Sequence, residues 1–327
     1  MLINKLVTLI VPCYNSEEYI NNFLDSLLLQ TYKNIQIILV NDGSTDNTLQ
    51  ILNKRKEEFE EFTEFLIIDS TNLGAAGAVN KALKYVKGEY LCWADSDDAL
   101  DKDNVLKKYE FLNNNQDFSM VCCNAEAIEY ATDKKIYDLS VKTKKTNIFY
   151  ELIYPGFPCY PGVFMIRTEK LFNKLKDREI PYDKKVGQNW QLLLPVAYDG
   201  KCGYIDKCLY KYYIRSNSHS HKVNNENIEI TMEKQNEILY KIIEFLDDKE
   251  QVKVKNFIEN VYAIKKMNIA FEKNEIEKFN IEYKKIKKIK IKFFIKKVII
   301  NNYYFNKIYR KIKEKKWRFY LLEVQED

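Results

Sequence analysis

Unbroken apolar runs and helical periodicities alternate along the first hundred residues. "LVTLIVP" (6–12) is an apolar run closed by proline, whereas "SEEYINNFLDSLLLQ" (16–30) spaces Tyr19, Phe23, Leu27 and Leu28 along one helical face. "IQIILV" (35–40) is a β-branched run followed by "NDGSTDNTLQIL", a turn that feeds a helix. "EFLIID" (64–69) predicts a third strand, "GAAGAVNKALKYV" (74–86) a helix of small residues, and 89–94 a fourth strand. Such β-α-β-α alternation predicts an α/β fold, with a mainly parallel sheet and helices on both faces. Ligands of these sheets bind beyond the carboxyl ends of the strands. The polar residues gather at those ends: Tyr14 and Asn15, then Asp42, then Asn72, then Asp95, Asp97 and Asp98.

From about residue 223 the pattern changes. "NENIEITMEKQNEILYKIIEFL" and "VKNFIENVYAIKKMNIAFEKN" carry helical spacing, and neither glycine nor proline occurs from there on. The organisation predicted is therefore a 1–222 α/β domain and a 223–327 helical C-terminal region. Charge sharpens the division. Lys284 to Arg318 holds fifteen Lys and Arg against one acid, Glu314, so a chain of net charge +5 has a remainder of −9. In "YKKIKKIKIKFFIKKVIINNYYFNKIYRKIKEKKWRFY" (283–320) the lysines are mixed with Ile, Phe, Tyr and Trp. The stretch reads either as a solvated basic helix pair or as a peripheral element setting lysines on an anionic membrane surface. No recognition motif accompanies the charge, so no nucleic acid is expected.

The 327 residues suffice for one large domain with an accessory piece. No apolar run reaches the roughly 18 residues of a spanning helix, and "LVTLIVP" is too short for a signal peptide. Seven cysteines without a C-x-x-C pair suit a reducing compartment, and Cys202 and Cys208 lack the second pair a zinc site requires. The expected location is the cytoplasm, or the inner face of the cell membrane if the basic stretch binds there.

"EYLCWADSDDAL" (89–100) sets three aspartates among four residues after an apolar strand. Like charges so close should raise their pKa values or recruit a cation. A hard divalent cation shared with a phosphorylated ligand relieves the repulsion. The neighbouring segments also have plainer readings, "NDGSTD" as an Asx turn and helix cap and "GAAGAV" as tight helix packing. Neither common nucleotide loop is present, and "DSDDALDKDN" departs from a calcium loop at Leu100 and Leu106.

In their order, "VPCYN", "LVNDGSTDNT", "NLGAAGAVNKAL" and "GEYLCWADSDD" resemble the family 2 glycosyltransferases of the GT-A fold. The resemblance is dense over residues 6–110 and weaker to about 221. It implies inverting transfer of a hexose or N-acetylhexosamine from a nucleotide diphosphate, commonly UDP, with Mg²⁺ or Mn²⁺. The acceptor it implies is a saccharide or lipid-linked glycan in surface polysaccharide synthesis. Tyr14 would line the base pocket, Asp42 would accept the uracil N3–H, Asp95 would face the ribose, and Asp97 would ligate the metal. Pro12, Asn15, Asn72, Gly74, Ser96 and Arg215 complete the implied nucleotide-sugar contacts. His219 and His221, in "YYIRSNSHSH", fall where the family's loop returns over the diphosphate and are candidates for the metal shell.

Two departures from the family stand out. Val79 replaces a frequent arginine, which leaves a phosphate contact to Lys81 or Arg215. In "DKKVGQNWQLLLP" (183–195) the family's Glu-Asp reads Gln188-Asn189, and a carboxamide cannot take the acceptor proton. Asp183 becomes the expected base, with Gln188 and Asn189 holding acceptor hydroxyls. Two other readings stay open. One is a nucleotide-sugar-binding or scaffold protein that has lost its base. The other is a sugar-phosphate nucleotidyltransferase, although "VPCYNSEEY" lacks the Gly-rich, Arg-containing loop that chemistry uses.

Overall fold

The computed structural model describes residues 2–61, 63–141, 145–154, 157–215, 228–286, 291–302, 306, 307 and 309. In chain order the first elements are β1 (Ile3–Cys13), α1 (Ile20–Leu28), β2 (Ile35–Asp42), α2 (Thr48–Arg55), α3 (Glu57–Glu60) and β3 (Glu64–Ser70). Next come α4 (Ala75–Leu83), β4 (Gly88–Trp93), β5 (Ala99–Leu100), α5 (Asn104–Asn114), β6 (Met120–Glu129) and β7 (Lys134–Leu139). After them lie α6 (Phe149–Ile153), β8 (Phe164–Arg167), α7 (Thr168–Phe172), α8 (Asn189–Ala197), β9 (Cys202–Ile214) and α9 (Ile228–Ile242). The chain then continues through α10 (Asp248–Lys273), α11 (Ile276–Lys285) and α12 (Ile291–Asn301).

One sheet runs β3-β2-β1-β4-β8-β6-β9-β5, with β7 paired to β6. The β3-β2-β1-β4 half is parallel throughout. Every residue of β2 is buried, as are Leu6 to Val11 of β1. A strand covered on both faces reads as a continuous apolar run rather than an alternating one, which is why these two were plain in the sequence. Thr8 is tolerated inside because its hydroxyl donates to Gln36 Oε1 at 2.7 Å. The other half is mixed: β8 is antiparallel to both β4 and β6, while β9 runs parallel to β6. This is the GT-A arrangement. It sets the carboxyl ends of β1 to β4 side by side.

The chain divides into two compact units, Met1–Gln251 and Val252–Asp327. Helix α9 packs against α8 and so belongs with the first unit, beyond the 222/223 division drawn from composition. The second unit has its own apolar cluster, in which Met267, Phe271, Phe279 and Ile300 are buried. Among the described residues no helix is long and apolar enough to cross a membrane.

Candidate functional site

A cavity of about 610 Å³ lies beyond the carboxyl ends of β1 to β4. The end of β1 supplies Pro12, Cys13, Tyr14 and Ser16, and β2 supplies Asp42. Asn72, Gly74 and Ala75 follow β3, Asp95, Ser96 and Asp97 follow β4, and Lys184 to Gly187 complete the lining. Asp42 is buried and clamps the next loop. Its Oδ1 accepts the Leu73 N–H at 2.7 Å and its Oδ2 accepts the Gly74 N–H at 2.8 Å. Burial pushes its carboxyl above the usual range, and the two N–H bonds with the Lys184 charge offset only part of that. Gly74 has φ +79°, a conformation that side chains disfavour, and a Cβ there would stand 2.5 Å from the Lys184 carbonyl oxygen. The Ser16 and Ser96 hydroxyls, 2.7 Å apart, tie the ends of β1 and β4 together. Asn72 Oδ1 is buried and has no hydrogen-bond partner among the described residues.

The three aspartates divide by environment. Asp98 is buried, accepts the Tyr210 hydroxyl at 2.5 Å and the Tyr213 N–H at 2.9 Å, and is not part of the lining. Burial and the Asp95 charge raise its carboxyl well above normal. Asp95 accepts a long bond from the Gln188 amide, 3.4 Å, and burial pushes its carboxyl up to about 6. Asp97 is ion-paired with Arg215, whose guanidinium stacks 4.2 Å over the Tyr19 ring. One oxygen from each of the three lies within 4.8 Å of the others, an all-oxygen donor set of the kind hard divalent cations take.

Of the residues singled out by sequence, Pro12, Tyr14, Asp42, Asn72, Gly74, Asp95, Ser96 and Asp97 line the cavity. Asn15 does not. At φ +48° it is a turn residue whose N–H donates to Ser44 Oγ at 3.1 Å and whose Oδ1 accepts the Thr45 N–H at 2.8 Å. Arg215 reaches the site only through Asp97, and Lys81 is exposed outside the lining. His219 and His221 lie outside the described residues.

Three residues expected on the acceptor side are engaged within the protein. Asp183 is outside the lining: its Oδ2 pairs with Lys234 at 2.7 Å and its Oδ1 accepts the Lys185 N–H at 2.8 Å. Burial acts to raise its carboxyl, but these two partners outweigh that and hold it below the usual range. Asn189 opens α8 with both amide atoms engaged. Its Oδ1 accepts the Trp93 indole N–H at 2.6 Å and its Nδ2 donates to the Cys159 carbonyl at 2.7 Å. Gln188, which is buried, gives its amide N–H to Asp95. These two carboxamides join α8 to the end of β4. Sequence reasoning in turn missed Cys13, Ser16, Ala75 and the run Lys184 to Gly187. The available signal was two adjacent lysines before a glycine, just ahead of the helix.

A parallel half-sheet continued by a mixed half, with acids gathered at its strand ends, defines an α/β protein of the GT-A type. The profile described as "Glycosyl transferase family 2" matches residues 8–180, and the chain belongs to that family. Among curated relatives, "Glycosyltransferase GlyA" of Streptococcus pneumoniae serotype 4 is 29% identical over 240 residues, 67% of this chain and 32% of that protein. The Bacillus spizizenii "Poly(ribitol-phosphate) beta-glucosyltransferase" is 41% identical over 114 residues, 34% of this chain and 18% of its own length. "UDP-Glc:alpha-D-GlcNAc-diphosphoundecaprenol beta-1,3-glucosyltransferase WfaP" of Escherichia coli is 39% identical over 114 residues, 35% of this chain and 44% of the relative. The match thus spans a third or less of the first two relatives. The crystal structure of S. aureus TarS 1-349 in complex with UDP-GlcNAc superimposes with a TM-score of 0.61 at 20% identity. It covers 86% of this chain and 81% of that one, which establishes a shared fold.

Proposed function

We propose that the chain binds a UDP-sugar in this cavity. It would transfer the hexose or N-acetylhexosamine, with inversion, to a saccharide or lipid-linked glycan of a surface polysaccharide. The observation that carries this reading is the convergence of Asp42, Asn72, Asp95 and Asp97 from the ends of β2, β3 and β4, three strands of the parallel half-sheet, onto one cavity. Both oxygens of Asp42 keep lone pairs beyond the two N–H bonds they accept, so one can take the N3–H of a uracil. The free Asn72 oxygen can accept a second N–H or hydroxyl, and the exposed Tyr14 ring offers a face for the base. Asp95 and Asp97 fit Mg²⁺ or Mn²⁺, Asp98 being held by its two tyrosines. A cation bound there supplies Lewis-acid neutralisation of charge on the departing diphosphate. Arg215 already carries a compensating charge at the same place.

A second reading, donor binding without transfer, is favoured by one observation: the residues at the family's Glu-Asp position are carboxamides already occupied within the protein. Calorimetric titration with UDP, GDP and uridine, each with and without Mn²⁺, tests the donor site. Failure of every nucleotide to bind rejects it. Release of UDP from UDP-sugars in the presence of a panel of glycan acceptors then separates transfer from binding alone.

The lysine-rich α12 exposes Phe294, Ile295 and Val298. That composition supports peripheral attachment to an anionic membrane surface. Flotation with anionic liposomes should weaken as salt rises, and flotation indifferent to salt or lipid charge rejects the attachment.

A further inference from the structure

The segment from Asp183 to Gln188 runs along the cavity from Gly74 to Asp95 and is fastened at both ends. Asp183 is held by Lys234 at 2.7 Å and turns back to cap the Lys185 N–H at 2.8 Å. Gln188 bonds Asp95, and its neighbour Asn189 bonds Trp93 and Cys159. The Lys184 backbone closes against Gly74, where a Cβ would meet its carbonyl oxygen at 2.5 Å and its Cα at 2.8 Å. Lys184 and Lys185 are thereby fixed at the cavity by their backbones while both side chains stay exposed. Among the described residues neither ammonium has an ion-pair partner. The nearby cations that sequence would have nominated are otherwise placed, Arg215 on Asp97 and Lys81 outside the lining.

The charge balance of the lining gives this arrangement a consequence. Its ionisable carboxylates are Asp42, Asp95 and Asp97, and its ammonium groups are Lys184 and Lys185. A nucleoside diphosphate is polyanionic; Arg215 offsets Asp97, but Asp42 and Asp95 still repel it unless further positive charge stands close by. We propose that Lys184 and Lys185 bind the donor's diphosphate, and that through them the cavity selects nucleoside diphosphates over nucleosides. Lysine suits the task because its ammonium is a point charge on a long stem and needs no fixed bidentate geometry. The inference rests on the donor-site reading above and adds the residues that read the diphosphate.

Calorimetry on the full chain tests it, with UDP and uridine as probes. Lys184→Gln/Lys185→Gln removes two charge-assisted hydrogen bonds to the diphosphate. It should weaken UDP by about a hundredfold and leave uridine within about twofold. Lys184→Arg/Lys185→Arg should recover most of the UDP affinity, since the charge is kept. Binding of UDP by the wild type with unchanged affinity in the Gln variant overturns this inference alone. Equal loss of UDP and uridine, as a distorted segment would give, overturns it as well. A wild type that binds no nucleoside diphosphate overturns the donor-site reading and this inference with it.

Discussion

Asn189 accepts one hydrogen bond and donates another, a pairing that an ionised carboxylate cannot make near neutral pH. Asn189→Asp restores the residue type the family places here, and the structure argues that it will destabilise the fold. The bond from the Trp93 indole, 2.6 Å, survives the change. The bond to the Cys159 carbonyl, 2.7 Å, becomes a contact between two oxygens. Losing one hydrogen bond and leaving a half-buried carbonyl unpaired costs about 1–3 kcal/mol. The pH dependence follows from the same contact. Once protonated, the introduced carboxyl could donate to Cys159 as the amide does. The folded variant therefore favours protonation, and its carboxyl value rises above the unfolded ~3.9. The stability gap to wild type should be small below about pH 4. It should widen as pH rises between the unfolded and the raised folded values, and be full above the latter. Urea denaturation of both proteins across this range measures it. Equal stability at neutral pH, or a gap that widens on acidification, would refute the assignment of these two bonds.

Asp97→Asn should weaken metal-dependent UDP binding by at least about tenfold, as read by calorimetry with Mn²⁺; an unchanged affinity removes Asp97 from the donor site. Asp183→Asn should leave donor turnover intact and cost only about 0.5–1 kcal/mol, because its pair with Lys234 is partly solvated. The wild-type carboxyl is lowered on folding, so its contribution is present above the unfolded value and lost as pH falls through the folded one. Urea titrations at neutral and acid pH check that, and loss of turnover in this variant would return Asp183 to the role of base. Gly74→Ala meets both a φ of +79° and the Lys184 backbone, so about 1–3 kcal/mol of stability should be lost; thermal denaturation at wild-type temperature would contradict it.

The parallel half of the sheet was legible because burial on both faces writes itself into sequence as uninterrupted apolar runs, and because each of those strands is joined to the next by a helix. The mixed half was not. Strand β6 takes its neighbours from β8 and β9, with Met120 opposite Ile166 on one side and Cys202 on the other. No tight hairpin turn joins those strands, and periodicity carries no information on which distant strand lies alongside. Lys108 illustrates the same limit. A lysine on α5 looks like a solvent-facing position, yet it is buried with its ammonium donating to the Gly162 carbonyl at 2.9 Å, a contact set by the packing of α5 on β8.

At the site, legibility followed the strand ends. Asp42, Asn72, Asp95 and Asp97 could be placed from the sheet rule together with the order of the motifs. Lys184 and Lys185 come from a segment some ninety residues beyond the last of these, and it reaches the cavity only because Gly74 leaves room for its backbone. That the carboxamide pair cannot take a proton follows from its chemistry, but the bonds it makes depend on partners that sequence does not show. With Glu at 188 a second carboxylate would face Asp95, whose own carboxyl is already pushed up to about 6; Gln188 donates there instead. With an aspartate at 189 the Cys159 carbonyl would lose its donor. Both carboxamides therefore match what surrounds them, and the departure from the family at 188 and 189 is a different wiring of α8 to the end of β4. A search for the proton acceptor of a transfer reaction belongs with groups that can approach the cavity once an acceptor is bound, and away from these two positions.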